Sequence, residues 1–216
     1  MMPPLDVAIV IAVQDAGRAK TRLGTHLDPG QRHSLVQAML DDLLTAVREV
    51  HTGKIVVVSP VRGYDAVAQG HQAEVLRDPG TGYQPAVLLA LAHVAAHQAV
   101  LVLPGDLPQA RSEDLRTLLN ALGRSPVVLV PSIDGGTCAL GIRPPSAMVP
   151  AFGLDSAARH REAARAAGLA LQEVRLPSMD RDVDTIEDLA EVWEQVGEAT
   201  SAILEHLQVV LPRPNR

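Results

Sequence analysis

Four short apolar runs, Val7 to Val13, Lys54 to Ser59, Ala99 to Leu103 and Val127 to Val130, punctuate the chain, and helical patterns separate them. None of the four alternates apolar with polar residues, which is the signature of strands covered on both faces. Between them, Pro29 to Val50 carries Leu35, Met39, Leu43 and Val47 at four-residue spacing, and Gln84 to His97 and Ser112 to Leu122 repeat such a face. Ser112, followed by Leu115 and Leu118, reads as a capped helix start. Strands that alternate with helices need crossover connections. The expected core is therefore a mainly parallel sheet with helices on both faces and ligands beyond the carboxyl ends of its strands.

The second half is less regular. It predicts a strand near Thr137 to Ile142, a helix from about Asp155 to Ala167, a strand near Ala170 to Arg175 and a helix from Thr185 to Val196, with an antiparallel insertion among them. A weak helix follows Gly197 and ends at Pro212 and Pro214. There is no internal repeat and no linker long enough to divide domains, so 216 residues, 47% of them apolar, predict one α/β domain over 1–216.

Composition removes several classes of partner. Lys and Arg number 19 against 25 for Asp and Glu, so the basic excess of a nucleic-acid surface is missing. Aromatic residues make up 2%, with Trp193 the one tryptophan, too few for base-stacking platforms. Cys138 is the single cysteine, so no intramolecular disulfide forms and a reducing cytoplasm is the simplest compartment. Val7 to Val13 is too short to span a bilayer and no basic segment precedes it; neither a membrane span nor a signal peptide is expected.

The residues that carry chemistry sit at the expected strand ends. Gln14 to Leu23 combines small residues with Arg18, Lys20 and Arg22 just past the first strand, where backbone N–H groups and cations suit a triphosphate. It lacks the Gly-Lys-Ser/Thr ending of a P-loop, and a basic surface loop is the other reading. The third run ends directly in Gly105-Asp106, which aims a carboxylate at the ligand crevice, where Mg²⁺ is held by one or two carboxylates and phosphate oxygens; a turn cap is the alternative. Asp180, Asp182 and Asp184 share a face if their segment is extended, and like charges so close repel unless a cation joins them. Asp184 also fits as a cap for the helix starting at Thr185, with Glu187 in its first turn.

Asp134-Gly135-Gly136-Thr137 and Phe152-Gly153-Leu154-Asp155-Ser156 add neutral polar groups, the latter leading into a helix whose N-terminus favours an anion. Asp155 and Ser156 equally fit as capping residues. His93 and His97 have the spacing of a zinc pair but no intervening Glu in the protease position and no third ligand, so they read as a solvated helix face. Cys138 reads as a small buried residue, and no Ser/His/Asp triad can be assembled by spacing.

Taken in order, Ala19-Lys20-Thr21-Arg22-Leu23, Asp78-Pro79-Gly80 with Gly82, Gly105-Asp106-Leu107-Pro108, Gly136-Thr137, Phe152-Gly153 through Ser156-Ala157-Ala158-Arg159-His160, and Asp182-Val183-Asp184-Thr185 form a specific set. With it the chain resembles, over nearly its whole length, the 2-phospho-L-lactate guanylyltransferase family, which includes the phosphoenolpyruvate guanylyltransferases of coenzyme F-420 biosynthesis. The resemblance implies a glycosyltransferase-A-like fold, of the nucleotide-diphospho-sugar transferase type. It implies Mg²⁺ on Asp106, Asp182 and Asp184, with Lys20 and Arg22 facing the triphosphate and acting with Asp106 in catalysis. Ala12, Val13, Asp78, Gly82, Gln84 and Gly105 would complete the nucleotide site, and Thr137, Gly153 and Ser156 would contact the acceptor.

The family reaction joins an acceptor phosphate to the GMP part of GTP and releases pyrophosphate; the product then goes to a transferase that acts on a deazaflavin precursor. The acceptor phosphate is already an anionic nucleophile, so the obstacle is charge repulsion, and positioning with electrostatics meets it. The chain departs from the family at Gln14, where Lys is usual, and at Gly82-Tyr83-Gln84, where Gly-Leu-Asn is usual; Gln84 keeps an amide able to read a base edge. Cys138 stands next to Thr137 where a polar or small residue is common. Two other readings follow from these departures: a paralogue that uses another nucleotide such as CTP, or a phosphonate acid, and a non-enzymatic scaffold. Retention of all three acids weighs against the scaffold.

Overall fold

The computed structural model describes residues 5–17 and 20–209. β1 (Val7–Ala12), β2 (Ile55–Ser59), β4 (Ala99–Pro104) and β5 (Val127–Pro131) fall on the four apolar runs, and every residue of β1 and β2 is buried. β3 (Glu74–Arg77) lies at one edge and β7 (Leu171–Glu173) at the other; between them the strands run in the order β3, β2, β1, β4, then β6 (Thr137–Ile142), then β5. β6 pairs antiparallel with β4 and β5, and the remaining pairs are parallel, so one reversed strand makes the sheet mixed.

Period-two geometry splits β1 between two cores. Ile9 and Ile11 pack with Leu35, Met39 and Leu43 of α1 (Pro29–Arg48) and with Leu115 and Leu118 of α4 (Ser112–Arg124). Ala8 and Val10 face Ala86, Val87 and Ala90 of α3 (Tyr83–His93) and Ala157 and Ala164 of α5 (Ser156–Ala166). Small residues at α3 and α5 let those helices lie close to a sheet face rich in Val. α2 (Asp65–Gly70), α6 (Ile186–Val192) and α7 (Glu198–His206) complete the helices. None of the described helices is long and apolar enough to cross a membrane.

Several local expectations are corrected. α4 begins with Ser112 already inside the helix; Arg111 occupies the cap and no side chain caps it. α3 ends at His93, which pairs with Glu74, while His97 lies beyond the helix and pairs with Asp6. The predicted helix to Val196 breaks at Val192 into a single 3₁₀ turn. Pro212 and Pro214 lie outside the described residues.

Candidate active site

The carboxyl ends of β1 and β4 adjoin, with the Gly105 N–H donating to the Ala12 carbonyl at 3.0 Å. A Cβ on Gly105 would stand 2.6 Å from Cγ2 of Val13, so only glycine lets the strand ends approach this closely. Asp106 follows directly, and its carbonyl receives the Val183 N–H at 3.4 Å, which draws the segment 180–184 across the strand ends. Val183 is fully buried, and its neighbours Asp182 and Asp184 turn the other way, toward Asp106. One carboxylate oxygen from each of Asp106, Asp182 and Asp184 lies within 4.8 Å of the others.

The cap that competed for Asp184 belongs to its neighbour. Thr185 accepts the Asp188 N–H at 3.0 Å and Asp188 accepts the Thr185 N–H at 2.8 Å, a reciprocal capping box. The Asp184 carboxylate instead receives the Lys20 ammonium at 2.6 Å, and Lys20 also pairs with Asp106. Lys20 is 5% exposed, so it is a buried ion-pair partner. Burial alone would pull its ammonium down, but Asp106 and Asp184 outweigh that and hold it above its ordinary value. Asp182 is pushed up to about 6, first by burial and then by the Asp106 charge, against the pull of Lys20.

Three carboxylates against one ammonium leave two negative charges uncompensated, and the buried Oδ1 of Asp106 has no hydrogen-bond partner among the described residues. An all-oxygen donor set with that residual charge fits a hard divalent cation. Arg22 lies exposed on the next turn, Thr21–Thr25, and, behind the Ser132 hydrogen bond, its charge is among the causes that lower the carboxyl of Asp134, which lines the cavity described next. Arg18 and Ala19 lie outside the described residues.

These acids line a cavity of about 460 Å³, and β6 and α5 form another part of its wall. Thr137 opens β6, and Ser156 donates its hydroxyl to Thr137 Oγ1 at 2.9 Å. Asp155 holds the N-cap position of α5 in a left-handed conformation, and its side chain caps nothing. Neither Asp155 nor Ser156 is therefore committed to capping by its side chain. Gly153 has φ of +114°, and a Cβ there would lie 3.0 Å from the Arg159 guanidinium, so the loop needs glycine. Cys138 also lines the cavity; burial, then the Asp182 charge, pushes its thiol up, away from nucleophile chemistry.

A second cavity of about 200 Å³ shares Ala12, Val13, Gln14 and Tyr83 with the first and is closed by Asp78, Gly80 and Gly82. Asp78 is 5% exposed; one of its oxygens accepts the Gly80 N–H at 2.7 Å and the other has no partner among the described residues. Gln84 lines neither cavity. Its amide accepts the Phe152 N–H at 2.8 Å and donates to the Pro150 carbonyl at 2.7 Å, so both ends are engaged by backbone and the expected base reader is a loop clamp.

Sequence reasoning treated Tyr83 only as a departure and gave Phe152 no role beyond its motif. Tyr83 lines both cavities, its buried hydroxyl has no partner among the described residues, and its ring meets Phe152 edge-on at 5.1 Å. The one available signal for Tyr83 was position, directly after the glycine-rich turn that follows β3.

Residues 7–210 match the model of a family described as guanylyl transferase CofC like. Over 199 residues the chain is 34% identical to a phosphoenolpyruvate guanylyltransferase of Roseiflexus sp. strain RS-1, covering 92% of this chain and 90% of that one. It is 36% identical over 208 residues to a 3-phospho-D-glycerate guanylyltransferase of Phenylobacterium zucineum, covering 92% and 95%. The fold matches the crystal structure of a putative nucleotide-diphospho-sugar transferase from Desulfovibrio desulfuricans G20 with a TM-score of 0.73 at 19% identity, over 94% of this chain and 96% of that one.

Proposed function

The chain belongs to the guanylyl transferase CofC-like family, and from that premise we propose that it joins the GMP part of GTP to phosphoenolpyruvate, or to a close relative such as 3-phosphoglycerate or 2-phospho-L-lactate, and releases pyrophosphate. One observation carries this reading: a single cavity is lined both by three carboxylates around a buried ammonium and by a neutral hydroxyl pair, and it adjoins a smaller pocket that ends in a buried carboxylate.

The division of labour follows from charge. An oxygen of the acceptor phosphate attacks the α-phosphorus of GTP, the new P–O bond forms, and the bond to the bridging oxygen breaks, its electron pair leaving with pyrophosphate. Asp106, Asp182 and Asp184 would hold Mg²⁺, which when bound supplies positive charge against the phosphates. Lys20 offsets part of the repulsion among the carboxylates and holds Asp106 and Asp184 together. Thr137, Gly153 and Ser156 orient the acceptor, whose carboxylate and phosphate offer only hydrogen-bond acceptors at neutral pH.

Asp78 gives the base its identity in this reading. A carboxylate only accepts hydrogen bonds, and its unpartnered oxygen suits guanine, whose N1–H and N2–H₂ donors lie side by side; cytosine sets an acceptor beside its one amine and is repelled. The product is an activated three-carbon donor, suited to a transferase that loads a deazaflavin precursor in coenzyme F-420 biosynthesis, and a cytoplasmic setting fits that role.

Purified protein with GTP, MgCl₂ and each acid in turn tests the reading. We expect pyrophosphate release that depends on the acid and is abolished by chelation. No acid-dependent release with any of the three acids rejects it, and greater thermal protection by CTP than by GTP would favour the paralogue that uses another nucleotide.

A further inference from the structure

His160 has no role in the proposal above, yet its ring is fully buried beside the acceptor wall. Its two nitrogens have different partners: Nε2 lies 2.9 Å from the Ala151 backbone N–H, and Nδ1 lies 3.0 Å from Thr137 Oγ1. A backbone N–H can only donate, so Nε2 must present a lone pair, and the ring proton of the neutral imidazole is left on Nδ1. That proton is donated to Thr137. Exchanging these roles would set the Ala151 N–H against a protonated nitrogen and lose that bond, and Phe152 packs edge-on against the ring at 4.8 Å.

The consequence passes to the hydroxyls. Thr137 Oγ1 receives His160 Nδ1–H and also stands 2.9 Å from Ser156 Oγ. Whichever hydroxyl donates to the other, one hydroxyl hydrogen is left over. With Ser156 donating, that hydrogen belongs to Thr137, the less buried of the two, and both residues line the main cavity. Resting on the acceptor site of the proposed function, we propose that His160 is a positioning residue: by accepting from Ala151 and donating to Thr137, it locks the Thr137–Ser156 pair into the state that presents a hydrogen, not a lone pair, to an anionic acceptor. An oxygen turned the other way would repel that anion, so the ring selects between attraction and repulsion at a group it does not let rotate.

The test separates His160's hydrogen bonds by shape. An Asn side chain at 160 can place its amide N–H near the Nδ1 position and donate to Thr137; a Gln reaches the Nε2 position and can accept from Ala151; Phe keeps the volume and does neither. We expect His160→Phe and His160→Gln to raise KM for phosphoenolpyruvate about tenfold while KM for GTP stays within twofold, and His160→Asn to recover most of the loss. His160→Phe placed on Thr137→Val should add little to the single Thr137→Val defect, because the ring acts through that hydroxyl. Separately, ¹⁵N spectra of histidine-labelled wild-type protein should show the Nδ1–H tautomer at His160.

An Nε2–H tautomer, equal defects in the Asn and Gln variants, or additive losses in the double variant would overturn the inference even if the wild type transfers GMP normally. Should any single variant fail to fold, the tautomer of the wild-type protein still decides. If the wild type transfers GMP to no acid while the tautomer is as expected, the functional reading falls, and the acceptor role of His160 falls with it.

Discussion

Where β1, β4 and the segment 180–184 meet, an ammonium sits among three carboxylates; where β6 meets α5, two hydroxyls line the same cavity, backed by a buried imidazole. The first part, with two negative charges left over, suits a divalent cation and works through charge; the second works through the direction of hydrogen atoms. The difference follows from the size of the charge to be met. On the proposed function, a triphosphate needs the cation that those carboxylates would hold, whereas a small acid beside it needs to be aimed. Charge is tolerant of angle, and hydroxyl donors are not.

The comparison is broken most severely on the charged side. Asp106→Asn should keep the fold and lower turnover about 10³-fold, roughly 4 kcal/mol, read as pyrophosphate release beside a thermal melt. Unaltered turnover would remove Asp106 from the role given to it.

Acid should break the neutral side next. Burial, then the Arg159 charge, hold the His160 imidazole down to about 4 from an ordinary 6.5. The unfolded chain therefore takes up a proton between those values that the folded chain refuses. The stability tied to this neutral ring is intact above about pH 6.5 and is lost as pH falls toward 4, a loss on the order of 3 kcal/mol. Urea unfolding of wild type and His160→Asn across that range checks it, since the Asn variant should lack that part of the slope.

Lys20→Met should lower turnover about a hundredfold, and the variant should gain more thermal stability from added MgCl₂ than wild type does, because its carboxylates have lost their resident cation. An equal gain would mean that Lys20 does not share the cation's task. The smallest effect belongs to the second cavity. Asp78→Asn should raise KM for GTP about tenfold and narrow the preference for GTP over CTP by a similar factor, measured in parallel assays. A preference left intact would place base recognition elsewhere.

The buried strands were readable because a strand covered on both faces has no choice but to be apolar along its length. β3 was not, for the opposite reason: Glu74 and Arg77 are exposed at the sheet edge, and only Val75 and Leu76 mark a strand of four residues. Asp182 and Asp184 were readable as a pair because the buried Val183 fixes the alternation. Their meeting with Asp106 follows from the rule that ligands gather beyond strand ends. The cap at Thr185 was hidden by two adjacent cap formers, although Asp188 three residues on was a usable signal. Gln84 and His160 were not readable, since the partners of Gln84 lie 66 and 68 residues away and those of His160 lie 23 and 9 away, and only the folded chain brings them together.

Tyr83 borders both cavities and touches Phe152, which in turn touches His160, so three rings form a continuous bridge from the pocket ending in Asp78 to the hydroxyls of β6 and α5. A ligand that shifts this bridge at one end does thermodynamic work at the other, and such work is reciprocal. Whatever factor the nucleotide imposes on the affinity for the acid, the acid must impose on the affinity for the nucleotide.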